Sequence, residues 1–176
     1  MNIEFETPRI LLRPFRLTDV EAFYHLNNDP DVNKYLPGEE RNISRAEVEQ
    51  LIKKNTFMDY EKYGFGRMVM VLKSNNQAIG FTGLKYLPEL DEVDIGYRIA
   101  KQHWGQGLVV EASIPIISYG FNQLDLKRII ALALPENKAS IRVMEKLKFT
   151  YVKHMELDGE EIVYYQRQRQ ASDLIE

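Results

Sequence analysis

The stretch Gln102-His103-Trp104-Gly105-Gln106-Gly107 constrains this chain more than any other. Before it, residues 93–99 alternate as a strand does: Val93, Ile95, Tyr97 and Ile99 face one way, Asp94, Gly96 and Arg98 the other. After it, residues 108–121 read as a helix. A strand, a glycine-bearing loop and a helix start together make an anion site. The first N–H groups of a helix have no intrahelical acceptor, and the helix dipole favours negative charge there. Gly105 and Gly107 let the backbone adopt conformations closed to other residues and approach a ligand closely. The segment therefore reads as a phosphate cradle, although two glycines alone leave an ordinary strand-to-helix loop open. The dinucleotide fingerprint Gly-x-Gly-x-x-Gly is absent, because Val110 stands three residues after Gly107. No Gly-x-x-x-x-Gly-Lys-Ser/Thr occurs either, which argues against a P-loop nucleotidase.

The rest of the chain supplies alternating strands and helices. Residues 10–13 read as a short strand. Thr18-Asp-Val-Glu21 predicts a capping box and a helix carrying Val20, Phe23 and Leu26 inward. Residues 27–38 are turn-rich, with Pro30 and Pro37. Ser44-Arg-Ala-Glu47 predicts a second box, followed by Val48, Leu51 and Ile52 at helical spacing. Residues 63–66 read as a connector. Residues 68–72 are uniformly apolar and short, as a strand buried on both faces would be. A strand over 78–87 follows the Asn75-Asn76 turn. Residues 128–134 predict another buried strand and 137–147 a helix. Asp158-Gly159 marks a two-residue type I′ hairpin between strands over 149–157 and 160–168. Pro115, inside the helix after the cradle, predicts a kink or an early break.

These elements predict one α/β domain over residues 1–176, with its core at about 7–168. The 176 residues include no cysteine, which excludes disulfide and thiol chemistry. No charged-then-apolar leader and no apolar run near eighteen residues is visible, so neither a signal peptide nor a membrane span is expected, and the location is expected to be cytoplasmic. Net charge is −3, from 23 basic and 26 acidic residues well mixed, so nucleic acid is not an expected partner. His25, His103 and His154 lack ligand spacing, so no metal is expected.

The pattern Gln102-x-x-Gly105-x-Gly107 resembles the acetyl-CoA pyrophosphate loop of the GNAT N-acetyltransferase superfamily. Asp94-Ile-Gly-Tyr97, His103-Trp-Gly-Gln-Gly107 and Glu111-Ala112 resemble its RimJ/RimL-like branch, which acetylates N-terminal amines of ribosomal proteins. Thr7-Pro-Arg-Ile-Leu-Leu-Arg-Pro14 resembles that branch's N-terminal strand, and Asn137-Lys-Ala-Ser140 with Glu145-Lys-Leu-Lys-Phe149 its last helix. The four motifs lie in order over about residues 7–166. The resemblance implies the GNAT (acyl-CoA N-acyltransferase) fold: a mixed, mostly antiparallel twisted sheet flanked by helices, with a central strand pair splayed apart for acetyl-CoA.

It also implies roles. Backbone N–H groups of about Trp104, Gly105, Gln106, Gly107, Leu108 and Val109 would hold the pyrophosphate, with Gln102 opening the motif. Backbone at Tyr97, Arg98 and Ile99 would pair with pantetheine, one N–H polarising the thioester carbonyl. Asn137 is first a helix N-cap, and the family's matching asparagine also contacts the cofactor. Many members place a tyrosine as acid where Met144 stands, and methionine has no proton to give. Ser140 takes that role in the RimL-like pattern; otherwise it is a solvated or back-bonded first-turn serine, and Tyr97 and Tyr151 are reserves. Asp94 is the candidate base, against the alternative of a strand carboxylate paired with Arg98 on the same face. Family members more often carry glutamate there. Glu92 and Glu111 are weaker candidates, Glu111 fitting a helix-start charge. Trp104 either covers the cofactor or anchors the loop in the core, and the anchor is favoured. Lys148 replaces the glycine usual before Phe149, so strain is expected if that backbone needs positive φ.

The expected activity is transfer of acetyl from acetyl-CoA to a primary amine, by direct attack in a ternary complex. A protein N-terminal α-amine is the leading acceptor. The acceptor cleft is expected from residues 27–38, the second helix and the terminal hairpin. A small amine (polyamine, amino acid or antibiotic) is the second reading, and a non-catalytic CoA-binding protein the third. Either a monomer or a homodimer is compatible.

Overall fold

The computed structural model describes residues 3–35 and 43–173. Residues 36–38 of the expected acceptor segment therefore lie outside the described residues. Eight strands form one sheet: β1 (Phe5–Glu6), β2 (Ile10–Pro14), β3 (Arg67–Leu72), β4 (Gln77–Leu87), β5 (Glu92–Ile99), β6 (Arg128–Ala133), β7 (Thr150–Leu157) and β8 (Glu160–Gln168). Their spatial order is β1-β2-β3-β4-β5-β6-β8-β7. Every neighbouring pair is antiparallel except β5 and β6, which run parallel and meet in register only at Asp94 and Ile130. The expected splay is this near-absence of ladder between two central strands.

Helices cover both faces. On one side lie α1 (Val20–Asn28), α2 (Pro30–Asn33) and α3 (Arg45–Leu51), with Phe15, Phe23, Val48 and Ile52 in the core they enclose. On the other lie α5 (Leu108–Asn122) and α6 (Lys138–Lys146), over Leu108, Ile116, Ile117 and Phe121. The apolar run of β3 follows from this. Met68 and Met70 enter the core under α5, while Val69 and Val71 enter the core under α1. A strand covered on both faces has no polar side to alternate with.

The Ser44 box forms as expected: its Oγ accepts from Glu47 N–H at 3.3 Å, and Glu47 Oε2 accepts from Ser44 N–H at 2.7 Å. The Thr18 box does not. A 3-10 turn at Leu17–Asp19 precedes α1, and Asp19 Oδ2 accepts the Arg16 N–H at 2.8 Å. Arg13 grips the same buried carboxylate through two N–H groups, at 2.8 and 2.7 Å, which fixes the chain before Thr18 can cap. The second helix is longer than its spacing suggested. After α3 it continues as a π-helical segment, Ile52–Phe57, and then as α4 (Met58–Tyr63), so Tyr63 ends a helix rather than opening a connector.

Pro115 does not break α5, which runs unbroken to Asn122. Ala112, Ile116, Ile117 and Phe121 bury on both sides of the proline, and this packing outweighs the one missing hydrogen bond. The hairpin turn is type I′, with positive φ at both Asp158 (53°) and Gly159 (78°). Lys148 has φ 64°. It sits at C′ of α6 in a Schellman motif: its N–H donates to Glu145 O at 2.9 Å, and Phe149 N–H to Met144 O at 3.0 Å. Among the described residues, no helix is long and apolar enough to cross a membrane, and no cluster could hold a metal.

Candidate active site

The loop between β5 and α5 is built by two left-handed glycines, Gly105 at φ 73° and Gly107 at φ 75°, the latter the N-cap of α5. The first helical N–H to find a helix acceptor is that of Glu111, on Gly107 O at 3.0 Å. The helix N–H groups before it have no acceptor within the helix. A Cβ on Gly105 would meet nothing within 4 Å, so the space before the loop is free for a ligand. Leu108, fully buried, pins the helix start to the core. Trp104 corrects its expected placement. Its ring is half exposed, and it anchors the loop by donating from Nε1 to Ile99 O at 2.8 Å. Gln102 is exposed and holds the loop through its backbone carbonyl, which accepts from Gln106 Nε2 at 3.1 Å.

Where β5 and β6 part, the start of α6 closes the gap. Asn137 caps α6, its Oδ1 accepting from Ser140 N–H at 3.1 Å. This turns Ser140 towards β5, where its Oγ lies 3.0 Å from Tyr97 Oη. Tyr97 Oη also donates to Ser140 O at 3.0 Å. Burial pushes the Tyr97 phenol well up from its ordinary value, so it keeps its proton at neutral pH. The two hydroxyls form one proton-bearing unit at the fork.

A cavity of about 410 Å³ opens beside this unit. Its walls include Tyr97, Arg98, Asn137 and Ser140 from the fork, Ile52, Asn55 and Asp59 from the π-segment and α4, and Asp158 and Glu160 from the hairpin. Asp94 also lines it, 7% exposed. Its partner is not Arg98 but Arg67 of β3, whose Nη2 meets both carboxylate oxygens at 2.9 and 3.0 Å. Asp94 and Arg98 are four residues apart on one face of a strand, too far along it to pair. Arg67 reaches Asp94 from β3 past Gly96, where any Cβ would collide with its guanidinium. Arg98 is instead turned to Asn27 Oδ1 and lies over the Phe81 ring.

The domain model described as Acetyltransferase (GNAT) domain matches residues 9–150. The chain belongs to the GNAT acetyltransferase family. Among its GNAT relatives, N-acetyltransferase p20 of Bacillus licheniformis is 31% identical over 148 residues, covering 81% of this chain and 80% of that protein. A GNAT acetyltransferase structure from Bacillus anthracis superposes with a TM-score of 0.79 at 27% identity, covering 94% of this chain and 98% of that one. RimL, a ribosomal L7/L12 α-N-protein acetyltransferase solved with coenzyme A, shares the fold at TM-score 0.78 and 18% identity, over 94% of this chain and 98% of that one. The chain is an acetyl-CoA-dependent N-acetyltransferase.

Within this GNAT site, three other carboxylate or phenol candidates fall away. Glu111 is tied to the N-terminal strand, accepting from Thr7 Oγ1 at 2.7 Å and Arg9 N–H at 2.8 Å, which fits its helix-start reading. Glu92 pairs with Arg128 at the far end of β5. Tyr151 is half exposed on β7, stacked edge-on with Tyr165 and away from the cavity. Sequence reasoning missed two cations. Arg67 was hidden because its partner lies 27 residues away, on the strand beyond its neighbour. Arg9 sits inside the Thr7-Pro-Arg motif; its Nη1 donates to Gln106 O at 3.1 Å, which steadies the cradle and brings positive charge beside it.

Proposed function

We propose that this GNAT enzyme acetylates the α-amine of a peptide or protein N-terminus. The observation that carries the reading is one cavity that joins the Tyr97–Ser140 unit to Asp59, Asp94 and the exposed hairpin carboxylates Asp158 and Glu160. Reference pKa values support an α-amine. Roughly a fifth to a third of α-amines are neutral near pH 7.4, against about 0.1% of lysines. RimL, whose fold the chain shares, is itself an α-N-protein acetyltransferase.

In the proposed reaction, N–H groups from Trp104 to Val109 bind the pyrophosphate of acetyl-CoA, and backbone at Tyr97, Arg98 and Ile99 binds its pantetheine. Gln102 opens the pyrophosphate loop, and Asn137, which caps α6, also contacts the cofactor. The amine nitrogen attacks the thioester carbon; a C–N bond forms and the C–S bond breaks. Ser140 gives its proton to the leaving sulfur and is resupplied through Tyr97 and solvent. Asp94 takes the proton lost by the amine through a water, because Arg67 already holds both its oxygens.

Thiol release with a panel of amines tests the reading. A peptide with a free N-terminus and a dimethylated lysine should be acetylated. The same peptide with an acetylated N-terminus and a free lysine should not. Its kcat/KM should rise with pH as the amine deprotonates and level near roughly 8, the α-amine's own value. The reverse peptide preference would move the acceptor to lysine, and no thiol release at all would favour a CoA-binding protein without catalysis.

A further inference from the structure

Among the described residues, three carboxylates on the cavity wall are not held by a cation: Asp59, Asp158 and Glu160. Asp158 and Glu160 are exposed on the hairpin. Asp59 alone is partly buried, and among the described residues it makes no hydrogen bond or ion pair. It is carried there by the π-segment, which with the start of α4 puts Ile52, Asn55, Thr56 and Asp59 on one wall. Such i→i+5 turns re-aim the side chains that follow them. Lys62 of α4, Arg67 of β3, Lys85 of β4 and Asp94 of β5 surround Asp59 electrostatically, yet none pairs with it. Lys85 and Arg98 add cations to the same cavity.

We infer that Asp59 receives the acceptor's ammonium group and so positions the amine beside the fork; the ammonium gives one proton to solvent before the neutral nitrogen attacks, and Asp94 takes the second. The inference rests on the α-amine reading above. Lys85 can donate to the carbonyl oxygen that follows an α-amine. Burial raises the Asp59 carboxyl above its ordinary value. For an acid, that sign means the stability present below its unfolded value is lost as pH rises through its folded value. Asp59 thus costs folding stability at neutral pH, as an unpaired group kept for binding would.

Asp59→Asn should raise the KM for the free-N-terminus peptide at least tenfold while kcat stays within threefold. Its acetyl-CoA Kd, by calorimetry, should be unchanged. Its Tm at pH 7 should equal or exceed that of the wild type, which a merely structural role would not give. Asp59→Glu should recover most of the lost kcat/KM, and the wild type should use the peptide better than spermidine. A wild type that acetylates the peptide while Asp59→Asn keeps its KM would overturn the role of Asp59 and leave the α-amine reading standing. A wild type that acetylates spermidine and neither peptide would overturn both.

Discussion

The proposed cofactor site and the proposed acceptor cavity are built in different ways. As proposed, acetyl-CoA meets backbone: two left-handed glycines, a helix start and a strand edge, all within residues 97–109. The cavity proposed for the acceptor is lined by side chains gathered from distant segments, with Asp59 from α4, Arg67 from β3, Asp94 from β5 and Asp158 from the hairpin. An anion as common as a pyrophosphate can be held by N–H groups that every chain possesses. An acceptor that differs from one enzyme to the next must be read by side chains. Ser140 stands at the seam, held by the side-chain cap of Asn137 and the Tyr97 hydroxyl.

Three changes would break or sharpen that contrast. Ser140→Ala should lower kcat by about 10²-fold and leave acetyl-CoA affinity nearly intact. Tyr97 Oη keeps its bond to the Ser140 carbonyl in this variant, so the loss would report chemistry rather than folding. A kcat within about threefold of wild type, measured under saturating acetyl-CoA, would move proton donation to another group or to water. Gly107→Val should weaken acetyl-CoA by about 1.4 kcal/mol or more, a factor of ten. No protein atom would collide with its Cβ, the nearest being Arg9 Nη2 at 3.9 Å. The effect would come from φ 75°, which a β-branched residue resists, and from side-chain atoms entering the cradle. Unchanged affinity in a variant folded by circular dichroism would mean the cofactor end does not depend on its glycines. The smallest effect lies outside both ends. Lys148→Gly should stabilise the fold by about 1 kcal/mol, because lysine at φ 64° carries a cost that glycine does not. Thermal unfolding should show a rise of about 2–4 °C with kinetics unchanged.

Much of the architecture was legible because its causes are local. The alternation of residues 93–99, the apolar run of β3, the Asp158-Gly159 turn and the Ser44 box each involve residues a few positions apart. Local signals failed where a residue outside the motif competed. Thr18 has the right spacing to cap α1, but Arg13 fixes Asp19 first. Pro115 predicts a kink or an early break, but the core on both sides of it keeps the helix continuous to Asn122. The π-segment has no signature in the apolar spacing of residues 48–52, so the placement of Asp59 was invisible.

The sequence by itself determined the strand–loop–helix segment over residues 93–121 and the cap of α6, since each follows from steric and hydrogen-bonding rules within one turn or one strand. Only the tertiary structure decided that Asp94 pairs with Arg67, that Tyr97 meets Ser140 across 43 positions, and that Asp59 faces the cavity unpaired. Those contacts depend on how the sheet parts between β5 and β6 and on how the helices settle over it. That arrangement is fixed by burial summed over the whole core, and no short window of sequence carries it.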